Sequence, residues 1–125
     1  MHDSIARNNH VYNSSTGLMV SESPNNEIYN NTIEGGTSQG IYLFNPVLPD
    51  DGVTQGNLVY NNTIINSENG VVATRSHDNI VQNTTFYDIE ESEYRLSGDS
   101  SIRIKGQHFD DALISQDGSL TTIRH

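Results

Sequence analysis

The sequence predicts an all-β solenoid, a stack of short coils in which the chain winds once per repeat. Three observations carry that prediction. Four stretches are nearly alike: Ala6-Arg7-Asn8-Asn9-His10-Val11, Ile28-Tyr29-Asn30-Asn31-Thr32-Ile33, Val59-Tyr60-Asn61-Asn62-Thr63-Ile64 and Val81-Gln82-Asn83-Thr84-Thr85-Phe86. Their first Asn residues fall at 8, 30, 61 and 83, which gives a period of 22 residues with one interval of 31. A fixed period of this size marks stacked repeats rather than a globule with long-range topology. Finally, apolar residues alternate in short runs and no window carries helical periodicity.

The first element of each repeat is the run around the Asn pair. Val59 and Ile64 are expected to face inward on either side of a bend, with Tyr60 facing out. Asn suits the bend because it tolerates left-handed dihedrals, and stacked amides bond to one another along a solenoid. The first Asn of each pair is present in all four units, whereas the second becomes Thr84 in the last. An internal ladder of Asn8, Asn30, Asn61 and Asn83 is therefore the expectation.

A second element follows about ten residues later and is introduced by Gly: Gly17-Leu18-Met19-Val20, Gly40-Ile41-Tyr42-Leu43 and Gly70-Val71-Val72-Ala73. Alternation points Leu18/Val20, Ile41/Leu43 and Val71/Ala73 one way, and Met19, Tyr42 and Val72 the other. The long interval holds a lateral loop, 45–54, stiffened by Pro46 and Pro49 and turned at Asp50-Asp51-Gly52. Coils are expected over 1–96. Beyond Glu93 the phase fades, although Ile102 and Ile104 still alternate, so 97–125 reads as an irregular terminal coil or cap. The chain begins in mid-repeat, which predicts further coils upstream and an open edge prone to end-to-end self-association.

Composition narrows the function. Apolar residues are only 33% of the 125-residue chain, low for a compact globule, yet they recur in phase, which disorder does not produce. Cys is absent, so there is neither a disulfide framework nor a thiolate metal site. No segment is long and apolar enough for a membrane span, and Met1-His2-Asp3-Ser4 is no signal peptide. The net charge of −10, from 16 acidic and 6 basic residues, argues against nucleic acid. It would also repel a polyanionic sugar unless a groove gathers Arg7, Arg75, Arg95, Arg103 or Lys105.

The repeats resemble those of the right-handed, single-stranded parallel β-helix of carbohydrate-active proteins. They are most similar to the mannuronan (alginate) C5-epimerase and NosD-like families, whose coils read roughly N-x-I-x-x-N-x-I followed by G-I-x-L. The resemblance spans about residues 4–96. It implies a polysaccharide as partner and an extracellular, cell-surface or periplasmic location. It also implies an isomerase or lyase active on uronates.

That chemistry needs a group to neutralise the carboxylate, a base for the C5 proton, and an acid or second base on the opposite face. The epimerase family associates this work with an Asp-Pro-His-Asp motif, which this chain lacks. His2 and Asp3 are the candidates for the tail of such a motif, and His77-Asp78 falls in a turn between coils. Substrate contacts are expected from outward columns. Arg7, Tyr29, Tyr60 and Gln82 precede the Asn in successive coils, and His10 heads a column continued by Thr32, Thr63 and Thr85. Tyrosine rings would lie on sugar faces while polar groups bond hydroxyls.

No cofactor is expected. The five His residues lack metal-ligand spacing, and Asp50-Asp51-Gly52 and Asp110-Asp111, the sites that could hold calcium, match no EF-hand or nonapeptide repeat. Asn-x-Ser/Thr sequons occur at Asn13, Asn30, Asn61 and Asn83, and a buried ladder would hide the last three from glycosylation. The leading expectation is the C-terminal β-helix portion of a mannuronan-epimerase-like protein that binds an extended glycan, with its catalytic groups upstream. The alternative is a non-catalytic extracellular repeat module for adhesion or surface structure. A NosD-like metal-delivery role fits less well with no Cys and two Met residues.

Overall fold

The computed structural model describes residues 5–12, 15–21, 25–44, 56–76, 78–97, 100–105, 114–117 and 120–124. Its regular elements are all strands. One sheet, sheet A, collects β1 (Ile5–Arg7), β4 (Glu27–Tyr29), β6 (Leu58–Tyr60), β8 (Asn79–Gln82), β10 (Ser101–Lys105) and β12 (Leu120–Arg124). The second, sheet B, collects β2 (His10–Tyr12), β3 (Thr16–Ser21), β5 (Thr32–Phe44), β7 (Thr63–Thr74), β9 (Thr85–Ser97) and β11 (Ile114–Asp117). Every pairing is parallel and joins one coil to the next.

The chain thus winds as a β-solenoid. Ala6 pairs with Ile28, Ile28 with Val59, Val59 with Val81, Val81 with Ile104 and Ile104 with Ile123. Regular pairing therefore continues past residue 97, where the sequence places the start of an irregular end. The strands β5, β7 and β9 are long because each bends once, giving a first limb after the Asn-Asn or Asn-Thr pair and a second limb after Gly40, Gly70 or Glu93. A register shift marks the bend between Glu34 and Thr37 of β5, and between Ser67 and Asn69 of β7.

The alternation read from the sequence fills the interior. Ile28, Val59, Val81 and Ile104 line the core from sheet A, and Ile33 and Ile64 from the first limb. Val20, Ile41, Leu43, Val71, Ala73, Tyr94 and Leu96 do so from the second limb. Coils stack at about 4.8 Å, so like side chains touch along each column and exclude water continuously. One column requires Gly in the middle coils. A Cβ on Gly40 would lie 2.7 Å from Ile64 Cγ2 and 2.8 Å from the Gly70 carbonyl oxygen.

The ladder expectation needs correction by one residue. Asn8, Asn30, Asn61 and Asn83 are exposed and hold left-handed backbone, with φ of 57°, 55°, 55° and 51°. It is the following residue that turns inward. Asn9 donates through both its backbone N and its Nδ2 to Asn31 Oδ1, each at 3.0 Å. Asn31 does the same to Asn62 Oδ1, again at 3.0 Å for each. The physical reason is that the left-handed residue makes the bend and swings its own side chain out, and the next residue then faces the corner's interior. The ladder closes on Thr84, also buried.

A second ladder lies at the entry to sheet A. Asn25, Gly56 and Asp78 take left-handed φ of 58°, 67° and 57°, and Asn26, Asn57 and Asn79 follow them into the core. Asn26 donates from N and Nδ2 to Asn57 Oδ1 at 2.9 and 3.0 Å, and Asn57 to Asn79 Oδ1 at 3.1 Å for both. Asn79 Nδ2 then donates to Ser76 Oγ at 2.8 Å, and Ser100 Oγ accepts from the Ser76 backbone N at 3.0 Å. Buried amides are tolerated here because both donors and the acceptor find partners.

Candidate functional site

The outer face of sheet A carries the column read from the sequence. Arg7, Tyr29, Tyr60 and Gln82 occupy equivalent positions of β1, β4, β6 and β8. The same register continues to Lys105 on β10. Arg7 Nη1 donates to the Tyr29 hydroxyl at 3.2 Å, and Tyr60 donates its hydroxyl to Glu27 Oε1 at 3.4 Å. Loss of hydration, followed by the nearby Glu27 carboxylate, holds the Tyr60 hydroxyl above its ordinary range.

The two rings are stacked, with centroids 4.7 Å apart and planes 9° from parallel. That geometry changes what the column offers. Each ring covers a face of the other, so a chain laid along the axis meets ring edges and hydroxyls rather than an open aromatic platform. The face is a line of hydrogen-bonding groups: a guanidinium, two phenols, an amide and an ammonium.

Charge is distributed unevenly around the tube. Arg7, Arg103 and Lys105 all belong to sheet A, and alternation puts Arg103 on its outer face with Ile5, Glu27, Leu58 and Ile80. Among the described residues of this face, Glu27 is the only acid. A chain whose net charge is −10 therefore still presents a locally cationic strip.

His10 does not join this strip. The bend at Asn8-Asn9 carries it onto the first limb of sheet B, in register with Thr32, Thr63 and Thr85. There its Nε2 lies 3.1 Å from Glu34 Oε2, and its ring meets Tyr12 edge-on at 4.9 Å. Arg75 and Arg95 are also elsewhere. Arg75 sits 5.6 Å from the centre of the Phe44 ring, and Arg95 lies 3.8 Å from Glu91 on an exposed stretch of β9.

The remaining candidates fall outside the described residues: His2, Asp3, the loop 45–54 with Asp50-Asp51-Gly52, His77, Asp110-Asp111 and Asn13. Among the described residues no three His, Asp or Glu side chains converge on a metal position. No helix among them is long and apolar enough to cross a membrane. The sequons at Asn30, Asn61 and Asn83 stand on the exposed bend, not in the core, which reverses the accessibility expected from the sequence.

The sequence reading named Arg103 and Lys105 among the cations a groove could gather but did not place them on the face that carries Arg7, Tyr29, Tyr60 and Gln82, because the repeat fades to the eye beyond Glu93. The alternation of Ile102 and Ile104 was the available signal: it places Arg103 and Lys105 on the opposite, outer side.

Comparison with curated proteins gives no match, and comparison with solved structures gives none. The family model for the right handed beta helix region matches residues 2–122. With nearly its whole length matched and its strands stacked in parallel coils, the chain belongs to the right-handed β-helix family.

Proposed function

We propose that this β-helical repeat module binds an extended, uronate-containing polysaccharide along the outer face of sheet A, as part of a polysaccharide-active protein of the mannuronan-epimerase kind. One observation supports the reading most: Arg7, Tyr29, Tyr60, Gln82 and Lys105 form a single axial column with a cation at each end. A polyuronate offers carboxylates and hydroxyls along its length. Arg7, Arg103 and Lys105 would pair with carboxylates, while the phenols and Gln82 bond hydroxyls. The binding is hydrogen-bonded and salt-sensitive rather than based on ring stacking. Catalysis, an isomerase or lyase step, would be supplied by residues outside the described column, and the setting would be extracellular or periplasmic.

The test compares alginate oligomers with neutral oligomers of equal length by calorimetry at two salt concentrations. Binding of the acidic oligomer should weaken with salt and should fall about tenfold or more when Arg103→Gln and Lys105→Gln are combined, since a charge-assisted bond is worth about 1.5–3 kcal/mol. Equal binding of neutral and acidic oligomers, or no loss in the folded double variant, rejects the proposal.

A second reading is a non-catalytic repeat module for adhesion or surface structure. The Tyr29–Tyr60 stack favours it, since rings that cover one another shield the sheet without any ligand. Absence of binding to any acidic oligomer would favour this reading.

A further inference from the structure

Around the bend from sheet A, a groove of about 710 Å³ opens on the first limb of sheet B. It is lined by His10 and Tyr12 of the first coil, Glu34 and Gly35 of the second, Ile65 and Asn66 of the third, and Asp88 of the fourth. Its size is that of a small-molecule site.

The order of these side chains along the axis is informative. Glu34 pairs in register with Ile65, and Ile65 with Tyr87, the residue before Asp88. Tyr87 takes the column position on the fourth coil, so the groove presents a carboxylate, an apolar step and, one residue beyond the column, the second carboxylate of Asp88. With one coil every 4.8 Å or so, the two acidic residues are offset by roughly 10 Å along the axis. Gly35, Asn66 and Asp88 form the rim, all left-handed with φ of 85°, 57° and 54°, and the lack of a side chain at Gly35 leaves the groove open beside Glu34. Asp88 has no ion pair or hydrogen bond among the described residues, and the Tyr12 ring is 60% exposed at the other end.

We propose that this groove binds a linear di- or polyamine. Two ammonium groups would sit at Glu34 and Asp88, and the methylene chain between them would lie on Ile65. Tyr12 would flank the ammonium at Glu34, where an aromatic ring stabilises a cation. The chemistry selects this class on two grounds. A single carboxylate would take any cation, whereas two carboxylates separated by an apolar step favour two charges separated by a hydrocarbon chain. An inorganic cation leaves Ile65 unused, and an anionic ligand is repelled. His10, bonded to Glu34, positions that carboxylate toward the groove's first coil. The site lies on a different face from the glycan strip and does not rest on that reading.

The test is calorimetric titration of the whole chain with spermidine, with butylamine as the single-ammonium comparator at matched ionic strength. Spermidine should bind and butylamine should bind several-fold more weakly. Glu34→Gln and Asp88→Asn should each weaken spermidine binding about three- to fivefold, the range expected of a well-placed exposed ion pair. Asp88→Asn is a conservative probe, because Asn holds the left-handed backbone as readily as Asp and the fold is kept. Glu90→Gln, on the same strand but outside the groove, should leave binding unchanged. The proposal is overturned if spermidine gives no heat, if the two amines bind alike, or if Glu90→Gln weakens binding as much as Asp88→Asn, which would reveal diffuse counterion attraction.

Discussion

Asn61 and Asn62 are adjacent and chemically identical, yet one stands in solvent with φ 55° and the other is sealed in the core. Asn62 Oδ1 accepts from the backbone N and Nδ2 of Asn31, and its Nδ2 donates to the Ile28 carbonyl at 2.9 Å. Asn61 contributes mainly its backbone, whose N–H continues the ladder to the Gln82 carbonyl at 3.1 Å. The same residue type therefore serves two physical ends. Outside, the short polar side chain lowers the cost of a left-handed turn. Inside, the amide satisfies polar groups that water cannot reach.

The difference can be broken from its inner side first. Asn62→Ala should destabilise the fold by about 3 kcal/mol, because it leaves the Asn31 donors without their acceptor in a dry corner. Chemical denaturation measures this, and a loss below that of an ordinary surface substitution would refute the ladder. Next in size is the Gly column beside the core: Gly40→Ala should cost about 1–3 kcal/mol through its clash with Ile64 and the Gly70 carbonyl.

On the outer side the effects shrink. Asn61→Ala should cost about 1 kcal/mol, the penalty of a left-handed residue without a helpful side chain, and Asn61→Gly should be near neutral. A loss in Asn61→Ala as large as in Asn62→Ala would erase the contrast. The smallest effect concerns Glu93, which occupies the Gly40 and Gly70 position one coil further on. Burial raises its carboxyl above the ordinary value of 4.5. The folded state thus holds this proton more tightly, so its contribution is most favourable below the unfolded value and is lost as pH rises through the folded one. Glu93→Gln should slightly raise Tm at neutral pH and change nothing under strongly acid conditions.

Much of this is legible in the sequence. The 22-residue period, the alternation of Ile41, Tyr42 and Leu43, and the inward facing of Val59 and Ile64 all follow from spacing. The ladder position did not follow from persistence through the repeats, since the residue kept in all four coils is the one that makes the bend. Aligned on Asn26 and Asn31, the N-x-I-x-x-N-x-I pattern falls on both buried columns, so the second ladder had a sequence signal too. The extent of the stack was harder to read, because Ser101 to Lys105 has no Asn pair and is recognised as a coil by its pairing to β8.

For the outer faces, spacing put Arg7, Tyr29, Tyr60 and Gln82 in one column, a consequence of strict parallel register. Whether the rings offered faces or edges depended on side-chain torsions that no repeat encodes, and the 4.7 Å stack answers it. Likewise His10 lies only three residues from Arg7, but a left-handed residue at Asn8 sends the two to different sheets. Sequence by itself determined the winding, because periodic apolar residues can be buried in only one way by a chain that repeats. Tertiary structure decided how the Tyr rings stack, which sheet His10 joins and how the groove is lined, because these depend on side-chain torsions and on the direction of each bend rather than on its recurrence.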